Sequence, residues 1–294
     1  MSNLTIRILF ACCAIPVVFF CLWFNDFSRL AIMLFFGGAG AFEWARMISK
    51  KYSGPNVNII ALLSTVAITL GWVFESGNFF KDYCSLEPVS GIVGIITLIV
   101  IGVYIALAFA KVDISHLFIW FIAQLGAPLY LGLFAGLNVY LLGSGHGLEH
   151  SYKFIIVMTS MWICDTMAYF VGKFLAGKGP FGRHALAPTL SPKKTWEGSV
   201  GGTLFTVLWF YLWTTNGVYE VFVCNTAEAL ILGLLLAVAG QAGDLLMSAL
   251  KRFTDTKDSS HIFPGHGGVL DRADSFFLSA PMVVLLFWFI RGGI

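Results

Sequence analysis

Nine stretches of predominantly apolar residues recur along this 294-residue chain, at 6–24, 30–48, 57–75, 90–110, 116–142, 152–174, 196–214, 227–250 and 273–290. A helix of about 20 such residues crosses the hydrocarbon core of a bilayer. Inside hydrocarbon every backbone N–H and C=O must be paired within the chain, so runs this long are expected as helices. The composition agrees: 12% of residues are charged, where an ordinary soluble domain carries about 25%. That leaves too little polar surface for a water-soluble globule. The expected fold is an all-α polytopic integral membrane protein with about nine transmembrane helices. Pro16 and Pro128 fall inside the first and fifth spans, where neighbouring helices can satisfy the carbonyl each frees, and a bend is expected at Pro128. The first run does not read as a signal peptide, because one basic residue precedes it and no small-residue cleavage site follows.

Lys and Arg set the orientation. Arg46, Lys50, Lys51, Lys111, Lys173, Lys178, Arg183, Lys193, Lys194, Lys251, Arg252, Lys257, Arg272 and Arg291 fall on one side of the nine spans. Arg7, Arg29, Lys81 and Lys153 fall on the other. The richer side is the cytoplasmic one. The N-terminus is then outside and the C-terminus inside, in what reads as a bacterial inner membrane. Residues 1–142 form five spans with short connections. Residues 143–294 form four, with two cytoplasmic loops, 175–195 and 251–272. Glu43 and Arg46 lie three apart and read as a pair near the interface, Arg46 reaching toward headgroups. Cys12, Cys13, Cys21 and Cys164 read as packing residues. Cys84 and Cys224 share the outside face, where a disulfide is an option.

The C-terminal half carries acidic residues where lipid should be. Asp165 interrupts WICDTMAYFVGK and Asp244 interrupts AGQAGDLLMSALKRF. A carboxylate at a span centre costs about 2.5–3.5 kcal/mol on insertion scales, so it is rarely idle. Asp244, Ser248, Lys251 and Asp255 follow at steps of four, three and four, one stripe of a helix. Asp165, Tyr169 and Gly172 make a second. Two polar stripes running toward the same basic loops predict a polar cavity open to the cytoplasm.

Those loops hold the remaining candidates. KGPFGRHALAPTLSPKKTWE, 178–197, interleaves Lys193 and Lys194 with Ser191, Thr195 and Glu197. Ammonium groups, hydroxyls and a helix N-terminus together suit a phosphate. Loosely held anionic headgroups are the plainer alternative. KRFTDTKDSSHIFPGHGGVLDRADS, 251–275, holds four Asp, two Lys, two Arg and two His. Its PGHGG permits a close backbone approach to a ligand. Asp244, Asp258, Asp271 and Asp274 are hard oxygen ligands of the kind Mg²⁺ takes alongside substrate phosphates. No Cys/His cluster suits zinc, and no Walker or GxGxxG element is present. A triad of Ser260, His266 and Asp271 can be written, but no spacing brings the three together. The residues point to metal-assisted chemistry on phosphates at the cytoplasmic face.

SALKRFTDTKDSSHIFPGHGGVLDRAD, Ser248 to Asp274, resembles the signature of the phosphatidate cytidylyltransferases, or CDP-diacylglycerol synthases. The resemblance extends to Gly243–Asp244, to SPKKTWEG and to DTMAYFVGK, and covers about 165–275. Lys173 stands where many relatives are expected to carry arginine, which keeps the charge but not the bidentate fork. The resemblance implies a membrane enzyme using CTP, phosphatidic acid and Mg²⁺, with a monovalent cation such as K⁺ nearby. It places Asp244 and Asp271 as metal carboxylates. Lys251, Arg252, Lys257 and Arg272 would clamp phosphates, Asp258 would be a further ligand or orient a basic side chain, and His266 would donate to a phosphate. Ser191, Lys193, Lys194 and Thr195 would bind nucleotide or lipid phosphate. Asp165, Tyr169, Glu197, Ser248, Gly267, Gly268 and Asp274 complete the expected substrate contacts. CTP, phosphatidic acid and the bilayer are the expected partners, nucleic acid is not, and a homodimer rests on no motif. The alternatives are a cation-coupled transporter, for which no internal repeat is found, and another lipid phosphotransferase, which the residue chemistry alone does not exclude.

Overall fold

The computed structural model describes residues 3–52, 58–75, 114–138, 141–142, 147–177, 182–215, 225–263, 265 and 267–291. His266, Cys84, Cys224 and the expected span at 90–110 lie outside them. The described residues are mostly helical: α1 (Asn3–Phe24), α2 (Asp26–Lys51), α3 (Asn58–Glu75), α4 (Ile114–Asn138), α5 (Tyr152–Phe174), α6 (Trp196–Thr215), α7 (Thr226–Phe253) and α8 (Leu270–Arg291). Every expected span other than 90–110 falls on one of them. Among the described residues, three helices are long and apolar enough to cross a membrane: α2, α5 and α7. α4 continues through Pro128. α6 exposes Trp196, Val200, Leu204, Phe205, Leu208, Leu212 and Trp213, an apolar face of the kind lipid covers.

The chain divides into two compact units, Met1–Ser151 with Lys251–Ala273, and Tyr152–Leu250 with Asp274–Ile294. In the first, α2 opens with a capping box. The Asn25 side chain accepts from Ser28 N at 2.9 Å, and Ser28 Oγ accepts from Asn25 N at 3.2 Å. Lys50 and Lys51 occupy the last turn, where cations favour the helix dipole. Arg29, expected as a loop charge, is fully buried. Its guanidinium donates to Leu22 O at 2.8 Å, Asp26 Oδ1 at 2.9 Å and Gly147 O at 2.7 Å, so the buried charge ties the α1–α2 corner to a later segment.

The Asp244–Asp255 stripe is shorter than the spacing predicts. α7 ends at Phe253, and Asp255 lies beyond it with φ of 54°. Thr256 N donates to Lys251 O at 2.8 Å and Asp255 N to Arg252 O at 3.1 Å. This is a Schellman closure with aspartate in the left-handed position glycine usually takes. Asp255 then pairs with Lys51 instead of extending the face of α7.

In the second unit, α5 and α6 pack along their small residues. Gly198 and Gly202 on α6 face Ala168 and Gly172 on α5, the one-turn spacing that lets two apolar helices approach closely. Between these helices the loop expected at 175–195 holds an antiparallel hairpin, β1 (Ala185–Ala187) and β2 (Ser191–Thr195), with Ala185 opposite Thr195. A Cβ on Gly202 would sit 2.8 Å from Cys164 O and 3.0 Å from the Ala168 Cβ. Gly202→Ala is therefore expected to destabilise the protein by about 1–3 kcal/mol through overpacking. Thermal unfolding in detergent measures this, and an unchanged midpoint would mean the helices do not meet there.

Candidate functional site

The second unit contains a cavity of about 600 Å³. α5 supplies Asp165, Tyr169, Gly172 and Lys173. The hairpin and the residues just before it supply Arg183, Lys193, Lys194 and Thr195. α6 contributes Ser199, and α7 contributes Gln241 and Asp244. The structure thus gathers six predicted residues from three separate segments: Asp165, Tyr169, Lys193, Lys194, Thr195 and Asp244. Lys194 pairs with Asp244 Oδ2, and Ser248 Oγ lies 3.5 Å from Asp244 Oδ1. Ser275 Oγ donates to Asp165 Oδ2 at 3.2 Å. The Lys173 ammonium lies 5.5 Å from the centre of the Tyr169 ring, within cation–π range.

The hairpin's position follows from its closing contacts. Trp196 N donates to His184 O at 2.9 Å, and His184 Nδ1 lies 2.6 Å from Glu197 Oε1. Glu197 thus holds the base of the hairpin. Thr195 Oγ1 accepts from Gly198 N at 3.2 Å. It is the N-cap of α6 and uses one of the free N–H groups expected for an anion. Lys193 is exposed and Ser191 half-buried on β2.

Among the lining residues not expected from the sequence are two uncharged polar ones, Ser199 and Gln241. Gln241 Nε2 donates to Thr203 Oγ1 at 2.9 Å and to Ser199 O at 3.3 Å, and Ser199 Oγ donates to Gln241 Oε1. The signal was available for Gln241, which precedes Asp244 by three residues and shares its face of α7.

The charged stretch forms its own network in the first unit. Lys251 donates to Asp271 Oδ1 at 2.8 Å. Asp271 Oδ2 accepts from Ser259 N at 2.8 Å and Gly268 N at 3.0 Å, with Ser259 Oγ also at 3.0 Å. At the network's centre is Glu43, which is buried. Its Oε1 accepts from Ser260 Oγ at 2.5 Å and Val269 N at 3.0 Å. Its Oε2 accepts from Ser259 Oγ at 2.7 Å and Leu270 N at 3.0 Å. The interface pairing expected for Glu43 with Arg46 is therefore replaced by contacts to the signature loop. Arg46 is exposed and takes no part. Gly267 and Gly268 do make a close approach, but the approach shown is to the protein's own carboxylates. A Cβ on Gly268 would sit 2.1 Å from Ser259 Oγ and 2.4 Å from Glu43 Oε2. Gly267 adopts φ of 81° directly against Asp271. Arg252, Lys257, Asp258 and Arg272 are exposed, and Arg252 Nη1 reaches Thr256 O at 3.4 Å. Asp274, in the second unit, accepts from Ser275 N at 2.9 Å.

With these positions fixed, residues 5–290 match the model of the cytidylyltransferase family. The chain belongs to the cytidylyltransferase family. The resemblance carried by the signature is thereby borne out. A phosphatidate cytidylyltransferase of Bacillus subtilis (strain 168) is 28% identical across 97% of this chain and 98% of its own length. One from Thermotoga maritima is 36% identical over 47% of this chain, and one from Aquifex aeolicus 38% over 46%. Those two alignments span only 50% and 47% of the relatives' lengths. Among the described residues of this chain, no three His, Cys, Asp or Glu side chains gather as a metal-binding group.

Burial alone would push the Asp271 carboxyl up. The Lys251 ammonium and the Gly268 and Ser259 N–H groups outweigh it and hold the group below its ordinary value. A depressed pKa adds stability that is full above the unfolded value, about 3.9, and is lost as pH falls through the folded one. The thermal midpoint of the native protein should exceed that of Asp271→Asn by a steady margin from neutrality down to about pH 4, and the gap should close as pH falls further. A gap that persists in acid would remove the charge from this account.

Proposed function

We propose that the protein transfers the cytidylyl group of CTP to phosphatidic acid, releasing CDP-diacylglycerol and pyrophosphate. The observation that carries this reading is the near end-to-end match to a protein named phosphatidate cytidylyltransferase. The cavity supports it. At about 600 Å³ it falls in the range of small-molecule sites, and Lys173, Arg183, Lys193 and Lys194 give it the lining an anion needs.

A lipid phosphate oxygen attacks the α-phosphorus of CTP in line. The new P–O bond forms as the bond to the bridging oxygen breaks, and pyrophosphate leaves with the electron pair. No general base is required, because a phosphate is largely ionised near neutrality. The basic side chains hold the phosphates and stabilise charge on the leaving group. Asp244 and Asp271 would hold Mg²⁺. Oδ1 of Asp271 faces one donor, Lys251, while Oδ2 already accepts from two backbone N–H groups and shares the Ser259 hydroxyl with Glu43, so the donor set leaves a lone pair on Oδ1 for a cation. With few protein carboxylates available, substrate oxygens and water would complete its shell, as is usual for this ion. When bound, it would screen the phosphate oxygens. The reading retains about nine spans, with the polar cavity open to the cytoplasm, because dissolved CTP and bilayer-bound phosphatidate can meet only at that boundary.

Purified protein in detergent with CTP, phosphatidic acid and Mg²⁺ should release pyrophosphate and a cytidylylated lipid, and chelation should stop it. Asp244→Asn and Asp271→Asn should each lower turnover by orders of magnitude in protein that still inserts. Equal turnover without divalent metal, or with another lipid phosphate in place of phosphatidate, would overturn the proposal.

A further inference from the structure

The role of Glu43 is unassigned by the signature, which lies more than 200 residues away. Its carboxylate faces four donors, two on each oxygen. Two of the four are N–H groups at the start of α8, where a helix has donors without carbonyl partners and a positive dipole end. The other two are hydroxyls from consecutive residues, Ser259 and Ser260. Ser259 also meets Asp271 through both its backbone N–H and its hydroxyl. The start of α8 and the two serines are thus fixed to one side chain of α2, and the orientation of Asp271 follows from where that side chain holds them.

We propose that Glu43 is a positioning residue that sets the carboxylate of Asp271, and with it the Lys251 ammonium, for the reaction. This deepens the proposed function and rests on it. The donor count makes the idea testable with an isosteric change. In Glu43→Gln one oxygen becomes an amide that donates. In either orientation that amide meets a backbone N–H, of Val269 or Leu270, which cannot turn away. A role in filling space would survive the change, whereas a role in accepting four donors would not.

The test compares full-length native protein, Glu43→Gln and the milder Ser260→Ala by hydrogen exchange and by steady-state turnover. Glu43→Gln should speed exchange in peptides covering 257–272 while the remaining helices keep their protection. Its kcat should fall roughly tenfold or more, with KM for CTP within about twofold. Ser260→Ala should show the same pattern, smaller. Unchanged exchange at 257–272 would overturn the proposal. So would loss of protection across the whole chain, or local loosening with kcat intact. If native protein fails to turn over CTP and phosphatidic acid, the functional reading falls. The exchange comparison then still decides whether Glu43 fixes the loop, because it needs no turnover.

Discussion

A carboxylate removed from water is tolerable only when donors replace the water it lost, and Glu43 shows what that requirement imposes. Four donors must be delivered to one point in α2, and the signature loop delivers them. Its backbone must pass so close that Gly268 has no room for a Cβ. Two consecutive serines are placed to turn their hydroxyls inward. The start of α8 is aimed by its own free N–H groups. Each of these features serves the others, so Ser259, Ser260 and Gly268 to Leu270 hold a defined arrangement despite the high charge around them. That shape brings Asp271 to Lys251 with its second oxygen already held.

The cavity of the second unit is built differently. Its walls come from helices that approach through glycine and alanine, so the residues that matter most for its shape have almost no side chain. The hairpin supplies the basic groups, and its base is closed by His184 and Glu197. Asp244 and Lys194 neutralise each other across the cavity wall. Such a pair is tolerable in a half-buried place where either charge alone would be costly.

Much of this was legible in the chain. Long apolar runs specify helices because hydrocarbon offers no other partner to the backbone. Asp165 and Asp244 stood out because each is expensive within a span, and both line the cavity. Local periodicity found Tyr169 and Gly172 beside Asp165. What escaped depends on partners distant in sequence or on chain ends. Glu43 has an arginine three residues on, which offered a local explanation and concealed a remote one. Asp255 continued a helical spacing past the point where the helix stops, since aspartate rarely closes a helix in the left-handed conformation. The hairpin had no alternating apolar pattern to announce it, because β1 is only three residues long and β2, five residues long, carries two adjacent lysines.

Ser259 links the two carboxylates, and its hydroxyl carries a single hydrogen. Glu43 lies 2.7 Å from that oxygen and Asp271 3.0 Å. Only one of them can receive the proton at any instant. Rotation about one C–O bond therefore transfers a donor between an acidic group on the second helix and one at the mouth of the last. The two acids compete for it, and a cation that satisfied Asp271 would release the hydroxyl entirely to its rival.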